Sequence, residues 1–288
     1  MSQYLNIDAL RNQLDTQLFG RGDRLFYSPV VDSTNTQAMH LARKGGEEGV
    51  VVLADNQTAG RGRVGKRWLD LPGCAAISSV VLRPRFSPHL LVMIASLAVV
   101  DAISDTCHII AHLKWPNDVL VRDRKVAGIL IETSHDLRGH LVAVAGIGVN
   151  VNGCIDQIGE NRAESLPPAL SQLPETATTL ETACGHTVSR ETFIASLLLH
   201  LERYYLALQQ EAQQPLPVAA AYQTTSRFIR EQWRTRLSTL GRTVTVCQGE
   251  RIISGVAEDV KDNGELLLRC PSGEQVSITW GDIGYPTE

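Results

Sequence analysis

The densest chemistry in the chain lies in Asp55-Asn56-Gln57-Thr58-Ala59-Gly60-Arg61-Gly62-Arg63-Val64-Gly65-Lys66-Arg67-Trp68. Three glycines in six positions (Gly60, Gly62, Gly65) leave main-chain N–H groups open to a ligand. Arg61, Arg63, Lys66 and Arg67 add four positive charges. Amides and guanidinium forks together suit an anion. No Gly-Lys-Ser/Thr ends the stretch, so it is not a P-loop. The glycines have GxGxxG spacing, yet Trp68-Leu69-Asp70-Leu71-Pro72 continues as loop rather than helix, so a dinucleotide fingerprint is not met. A solvated basic turn would have the same composition.

Three further segments place unusual residues in strand-like surroundings. In Leu113-Lys114-Trp115-Pro116-Asn117-Asp118-Val119 a lysine sits among apolar residues, where an unpaired cation is costly. Asn117 and Asp118 offer oxygens suited to a hard cation such as Mg²⁺, and the same residues also suit an ordinary type I turn. Lys125-Val126-Ala127-Gly128-Ile129-Leu130-Ile131-Glu132 opens a buried strand on a lysine, which could also reach solvent from a strand end. Ala145-Gly146-Ile147-Gly148-Val149-Asn150-Val151-Asn152 sheds side chains at two glycines and ends on asparagines. A planar ligand approaching the strand would explain those glycines, and so would strand crowding. His108 and His112 have i,i+4 spacing, but strand-like sequence begins at Leu113 and there is no HExxH, which argues against a metal pair. No GxSxG elbow supports a serine hydrolase.

These segments need a scaffold. The chain has 288 residues, enough for about two domains. Its 43% apolar and 20% charged residues are ordinary for a globular protein. A net charge of -4 disfavours a generally basic nucleic-acid binder. Six cysteines without a CxxC argue against a zinc ribbon or disulfide framework and point to a reducing cytoplasm. The polar start lacks the pattern of a signal peptide. The apolar run Leu90–Val100 has the length of a buried helix, not a membrane span.

Periodicity predicts an amphipathic helix over Leu5–Phe19 and a second from the caps Asp32–Asn35 to Lys44, ended by Gly45-Gly46. Strands are predicted over Gly49–Ala54, Ala75–Leu82, Val126–Glu132 and Leu141–Val151, with two short strands in Leu113–Val121 around Pro116-Asn117-Asp118. Leu90–Thr106, Ser189–Gln210 and Ala219–Thr235 read as helices, and Asn152–Cys184 as a loop with short helices. The order is not a regular βαβ alternation, so the fold class is α+β, a mixed β-sheet flanked by helices. After Gly241, short alternating strands with turns at Asp262-Asn263-Gly264 and Pro271-Ser272-Gly273 predict a small β-barrel. The expected division is 1–236 and 237–288.

In this order and spacing, five motifs closely resemble the biotin protein ligase family. They are Asp32-Ser33-Thr34-Asn35, Gln57-Thr58-Ala59-Gly60-Arg61-Gly62-Arg63, Lys114-Trp115-Pro116-Asn117-Asp118, Lys125-Val126-Ala127-Gly128-Ile129-Leu130 and Gly146-Ile147-Gly148-Val149-Asn150. They are dense from Asp32 to Asn152; the rest matches as a helix-rich stretch and an SH3-like C-terminal barrel. The resemblance implies that biotin and Mg·ATP give biotinyl-5′-adenylate and pyrophosphate. A lysine of the biotin carboxyl carrier protein of acetyl-CoA carboxylase then attacks the adenylate. It implies that Ser33, Thr34 and Gln57 hydrogen-bond the ureido ring of biotin, that Gly60 lets the backbone approach it, and that Asn35 braces this edge. Arg61 and Arg63, with Gly62 between them, would hold the biotin carboxylate and the adenylate phosphate. Lys125 would sit between carboxylate and α-phosphate and stabilise charge at phosphorus. Lys114 would place phosphate or prepare the acceptor lysine, and Asn117 and Asp118 would hold Mg²⁺ or the phosphates. Trp68 and Asn150 would contact the adenylate, Asn150 toward adenine. The loop Gly60–Arg67 should be mobile without ligand, and Arg63 should retain the intermediate.

Other readings stay open at this point. A lipoate–protein ligase or octanoyl transferase on a related fold is the nearest, although the full Gly-Arg-Gly-Arg loop would not be expected there. A nucleic-acid module clamping phosphates is opposed by the overall acidity, and a non-catalytic biotin sensor by intact Lys125 and Lys114. About thirty residues precede Asp32, too few for the winged helix of some relatives, so DNA binding is not expected. Relatives include monomers and homodimers.

Overall fold

The computed structural model describes residues 4–69, 73–153, 176–213 and 224–286. Seven strands form one mixed sheet: β1 (Leu25–Val31), β2 (Val51–Gln57), β3 (Ala75–Leu82), β4 (His112–Lys114), β5 (Asp118–Val121), β6 (Arg124–His135) and β7 (Leu141–Asn150). Their order is β1-β2-β3-β7-β6-β5-β4, with only β1 and β2 parallel. Every residue of β3 is buried, the serines Ser78 and Ser79 included, as in a largely apolar strand whose two faces are both covered.

The helices supply that cover. After α1 (Ile7–Gln13), α2 (Thr34–Arg43) lies on one face, where Ala38 and Ala42 pack with Val52, Val81, Val142 and Val144. On the other face lie α3 (Leu90–Cys107) and α5 (Arg190–Gln213), separated in sequence by the short α4 (Leu180–Cys184) and followed by α6 (Thr225–Thr235). Helix α3 is long and apolar enough to cross a membrane by length and composition, but 72% of it is buried inside the protein. Each large apolar side chain so buried contributes about 1.5–3 kcal/mol.

Some elements differ from expectation. The helix predicted over Leu5–Phe19 stops at Gln13. Beyond it, the main-chain N–H groups of Gln17, Leu18 and Phe19 donate to the buried carboxylate of Glu202 at 2.6, 2.7 and 2.7 Å, so this turn is tied to α5 instead of extending its own ladder. His108 ends α3 with φ 54° and His112 opens β4, so no helix face carries both. Of the expected loop, 154–175 lies outside the described residues, as does the part of the last predicted helix at 219–223; α6 begins at Thr225.

The C-terminal strands β8 (Thr243–Gln248), β9 (Arg251–Val260), β10 (Leu266–Arg269), β11 (Gln275–Ile278) and β12 (Asp282–Gly284) form an antiparallel sheet in the order β11-β10-β9-β8-β12. This is the small C-terminal β-unit that was expected, and among the described residues its end strands β11 and β12 are not hydrogen-bonded to each other. It is bonded to the main sheet beside the site. Leu113 N–H donates to Arg236 O at 2.8 Å, Ser238 N–H to Leu113 O at 2.8 Å, and the Trp115 indole to Gly264 O at 2.8 Å. One apolar cluster runs through both sheets, from Leu113 and Trp115 to Val244 and Leu266.

Candidate active site

Strand register builds the floor. Ile77, Gly148, Gly128, Asp118 and Lys114 are successive cross-strand partners from β3 to β4, so they share one face. The next row on that face holds Ser79, Gly146 and Leu130. Lys125 joins them through an irregularity. Alternation from Ala127 would turn it into the core, but the register shifts between Val119 and Leu120, so that Leu120 pairs with Lys125. Val126 and Ala127 both stay buried, and the lysine emerges on the site face. A bulge that re-aims one side chain beside a site is a common device.

The glycine-rich loop folds back on itself. Gly62 N–H donates to Lys66 O at 2.8 Å and Trp68 N–H to Gly60 O at 3.1 Å. A Cβ on Gly60 would lie 2.5 Å from Trp68 O, so this glycine makes room for the loop's own return strand. Val64 at its tip has φ 50°, an unfavourable conformation for a β-branched residue. The indole of Trp68 lies on the sheet floor, where a Cβ on Gly148 would come within 2.6 Å of Trp68 Cε2 and one on Gly128 within 3.1 Å of Cζ3. The planar group approaching these glycines is therefore Trp68 itself. Its indole N–H is buried without a hydrogen-bond partner.

At the start of α2 the structural and recognition tasks are divided. Ser33 is the N-cap residue, yet its side chain makes no capping bond. Gln57 does that work, its Oε1 accepting from Thr34 N–H at 2.8 Å, while Asp32 Oδ1 accepts from Ser33 N–H at 2.7 Å and Gln37 Nε2 at 2.8 Å. The Ser33 hydroxyl is left to the pocket. Asn35 is spent on bracing: its Nδ2 donates to Leu130 O at 3.3 Å and Glu132 Oε2 at 3.0 Å, and its Oδ1 lies 2.6 Å from Ser79 Oγ. Gly146 is required there, since a Cβ would sit 1.9 Å from Asn35 Oδ1.

Cations line the rest, each with a partner. Arg61 grips Glu132 through both nitrogens, at 2.6 and 3.2 Å. Lys125 Nζ lies 2.6 Å from Asp118 Oδ1 and Lys66 Nζ 2.9 Å from Asp282 Oδ2. Arg63 Nη1 donates to Asn117 Oδ1 at 3.0 Å. Lys114 Nζ and the Arg242 guanidinium lie 5.0 and 5.1 Å from the Tyr285 ring centroid, within cation–π range. Burial holds the Lys114 ammonium below the usual lysine range, against the opposing pull of Asp118, with Lys125 and Lys66 adding to the depression.

One pocket gathers Ser33, Thr34, Asn35, Gln57, Arg61, Gly62, Arg63, Trp68, Lys114, Asn117, Asp118 and Lys125. Two predicted residues stand apart. Gly60, at the base of the loop, and Asn150 are not among the residues that line the pocket; Asn150 Nδ2 donates to Thr178 O at 3.2 Å. Asn117 is in the wall, but its Oδ1 accepts from Arg63 and its Nδ2 donates to Ile129 O at 2.7 Å, so its side chain is no free metal ligand. Among the described residues no group of three or more His, Cys, Asp or Glu could hold a metal ion. Asp118 keeps one carboxylate oxygen beyond its bond to Lys125, which suits Mg²⁺ bound chiefly by water and phosphates. Sequence reasoning missed Ser79, Glu132, Asp282, Ile283 and Tyr285. Only Ser79 carried a mark, as part of the polar pair Ser78-Ser79 inside an apolar strand.

Residues 27–152 match the Biotin/lipoate A/B protein ligase family, and residues 239–283 match the Biotin protein ligase C terminal domain. A biotin–[acetyl-CoA-carboxylase] ligase of Paracoccus denitrificans is 34% identical over 250 residues, covering 85% of this chain and 94% of the relative. One of Mycobacterium tuberculosis is 30% identical over 292 residues, covering 96% and 97%. A biotin protein ligase of Aquifex aeolicus, solved in complex with biotin and ATP, superposes with a TM-score of 0.70 at 26% identity, covering 91% of this chain and 98% of that one. Motifs, fold and both matched regions agree, and the chain belongs to the biotin protein ligase family.

Proposed function

We propose that this pocket joins biotin and ATP as biotinyl-5′-adenylate and passes the biotinyl group to a lysine of the biotin carboxyl carrier protein of acetyl-CoA carboxylase. ATP-dependent biotinylation is the activity of the family to which the chain belongs. The observation that carries the residue roles is the pocket's polarity. A neutral hydrogen-bonding edge (Ser33, Thr34, Gln57) opens into the same space as Arg61, Arg63, Lys114 and Lys125. The first suits the ureido ring, the second the carboxylate and the phosphates.

In the first step a carboxylate oxygen of biotin attacks the α-phosphorus, and the bond to the bridging oxygen of pyrophosphate breaks. Arg61, Arg63 and Lys125 offset the repulsion between the two anions and stabilise charge growing on phosphorus. Lys114 holds phosphate or prepares the acceptor, and Trp68 contacts the adenylate. Asp118 would hold Mg²⁺, which supplies charge neutralisation on the phosphates. In the second step the acceptor amine attacks the biotinyl carbonyl and AMP leaves. Residues 1–236 form the catalytic unit in this reading, and 237–288 a C-terminal unit whose Asp282 and Ile283 complete the pocket wall. A cytoplasmic location fits the free thiols at Cys74, Cys107, Cys184, Cys247 and Cys270. A homodimer paired along the edge strand β1 is compatible with the sheet order, and sedimentation would decide it.

The test is incubation with biotin, Mg·ATP and a carrier domain, read by mass. One biotinyl group should be added to one lysine, and pyrophosphate should be released only when biotin is present. Biotin-independent pyrophosphate release, or equal use of lipoate, would overturn the assignment.

A further inference from the structure

We infer that Tyr285, which does not itself line the pocket, positions Lys114 for the phosphates of ATP by holding its ammonium on a ring face instead of on a carboxylate. The inference rests on the assignment of ATP to this pocket and names the residue that prepares one of its cations. Three other cations of the site are held by carboxylates: Arg61 by Glu132, Lys125 by Asp118 and Lys66 by Asp282. Lys114 is held differently. Its Nζ lies 5.0 Å from the Tyr285 ring centroid, and among the described residues it makes no ion pair and no hydrogen bond. The carboxylate across the strand pair, Asp118, is taken by Lys125 Nζ at 2.6 Å.

The two ways of holding a cation differ in what a ligand must undo. An ammonium carries three N–H donors. A carboxylate takes up those donors and opposes an incoming phosphate. A ring attracts the charge through its quadrupole and leaves the donors that point away from it free. The fold fixes both ends of the contact. The main chain around Lys114 is pinned on both edges of β4: Lys114 pairs with Asp118, while Ser238 N–H donates to Leu113 O at 2.8 Å and Trp115 N–H to Thr239 Oγ1 at 3.0 Å. Tyr285 directly follows β12, where Gly284 pairs with Thr245 and Ile283 lines the pocket. The ring's other cation, Arg242, has its own carboxylate, Asp123 Oδ1, at 3.3 Å. The Tyr285 hydroxyl is buried without a hydrogen-bond partner, so the site uses the ring and not the hydroxyl. Without the ring, a long and flexible side chain would have to be ordered again at each binding event. Tyr285 is thus a positioning residue acting through Lys114.

The experiment compares Tyr285→Phe, Tyr285→Leu and Tyr285→Glu, with the KM for ATP taken from biotin-dependent pyrophosphate release and the biotin Kd from titration calorimetry. Y285F should keep the KM for ATP within twofold, because only an unpartnered hydroxyl is lost. Y285L should raise it about fivefold or more, with the biotin Kd within twofold. Y285E should raise it at least as far, because a carboxylate would tether the ammonium and occupy its donors. In a Lys114→Met background, Y285L should change the KM for ATP by less than twofold. Where Y285L fails to fold, Tyr285→Met fills more of the ring's volume without its π face and should give the same pattern. A KM for ATP in folded Y285L within twofold of wild type would overturn the inference. So would an equal loss with and without Lys114, or biotin and ATP constants rising together, as a purely structural role would give. A lower KM for ATP in Y285E than in wild type would also overturn it. Wild type that releases no pyrophosphate with biotin present would instead overturn the pocket assignment, and that failure shows before any substitution is made.

Discussion

Gly128 and Gly148 face each other across β6 and β7, and the indole of Trp68 rests on both. The pair anchors the far end of the cationic loop to the sheet floor. Gly148→Ala would bring a methyl within 2.6 Å of the ring, closer than real contacts allow. Overpacking of this kind costs about 1–3 kcal/mol, and here the mobile partner is the loop. G148A should keep the fold by circular dichroism, displace the Trp68 indole, and slow adenylate formation at least tenfold. Comparison of tryptophan emission in wild type, G148A and Trp68→Phe checks this; unchanged emission in G148A would refute the anchoring role.

Stability should hinge on a different pair. Arg190 Nη1 lies 2.6 Å from Asp55 Oδ1, and the side chains are only 5% and 3% exposed. The same carboxylate accepts the Tyr27 hydroxyl and the Leu5 N–H, and its burial with Tyr27 pushes that phenol well above its ordinary pKa. Asp55 stands two residues before Gln57, so this network holds the strand end that feeds the pocket. Arg190→Met would strand a buried charge, with a loss of about 3–5 kcal/mol. Urea unfolding should show it, and adding Asp55→Asn should recover part. A loss below about 1 kcal/mol, the range of exposed pairs, would contradict the burial argument.

Lys114 sets a pH limit. Burial favours its neutral form, so its pKa lies below the 10.5 of an exposed lysine. The unfolded chain holds that proton more tightly, so this residue's contribution to stability rises with pH between the folded and unfolded pKa values. Activity runs the other way, because the charge that holds phosphate is lost as pH rises through the folded value. The KM for ATP should climb on the alkaline side before ordinary lysines titrate. Lys114→Arg, charged throughout, should flatten that limb; an identical profile in K114R would remove Lys114 from phosphate binding.

The sheet was legible because its cause is local: the stretch Ala75–Leu82, apolar except for Ser78-Ser79, announces a doubly covered strand, and it is one. The motifs named twelve residues that the fold brings to one pocket. What escaped depends on partners distant in sequence. The apolar spacing after Gln13 continues, but Glu202 takes the main-chain donors of that segment. The loop reads as uniformly basic, yet Glu132 and Asp282 answer Arg61 and Lys66 from two different sheets. The aim of Lys125 depends on a register shift whose only trace is the apolar pair Val126-Ala127. The bond from the Asn150 amide to Thr178 O likewise has a partner that nothing nearby in sequence announces.

The Arg61–Glu132 pair sets up a competition that the intermediate must win. Both oxygens of Glu132 are engaged, Oε1 by Arg61 and Oε2 by Arg61 and Asn35. If Arg61 is to hold the carboxylate or phosphate of the adenylate, its bonds to Glu132 oppose closure of the loop. Glu132→Gln removes the charge while Oε1 of the new amide can still accept from Asn35. The pair is partly exposed, with side chains 48% and 24% accessible, so the relief is about 0.5–1 kcal/mol. That corresponds to roughly two- to fivefold slower release of biotinyl-5′-adenylate. Arg63→Gly should act in the opposite direction, because it deletes a cation without freeing another: the intermediate should leak and modify lysines at random. Stopped-flow release of preformed adenylate measures both. Faster release from E132Q than from wild type would mean that Glu132 supports the closed loop rather than competing with it.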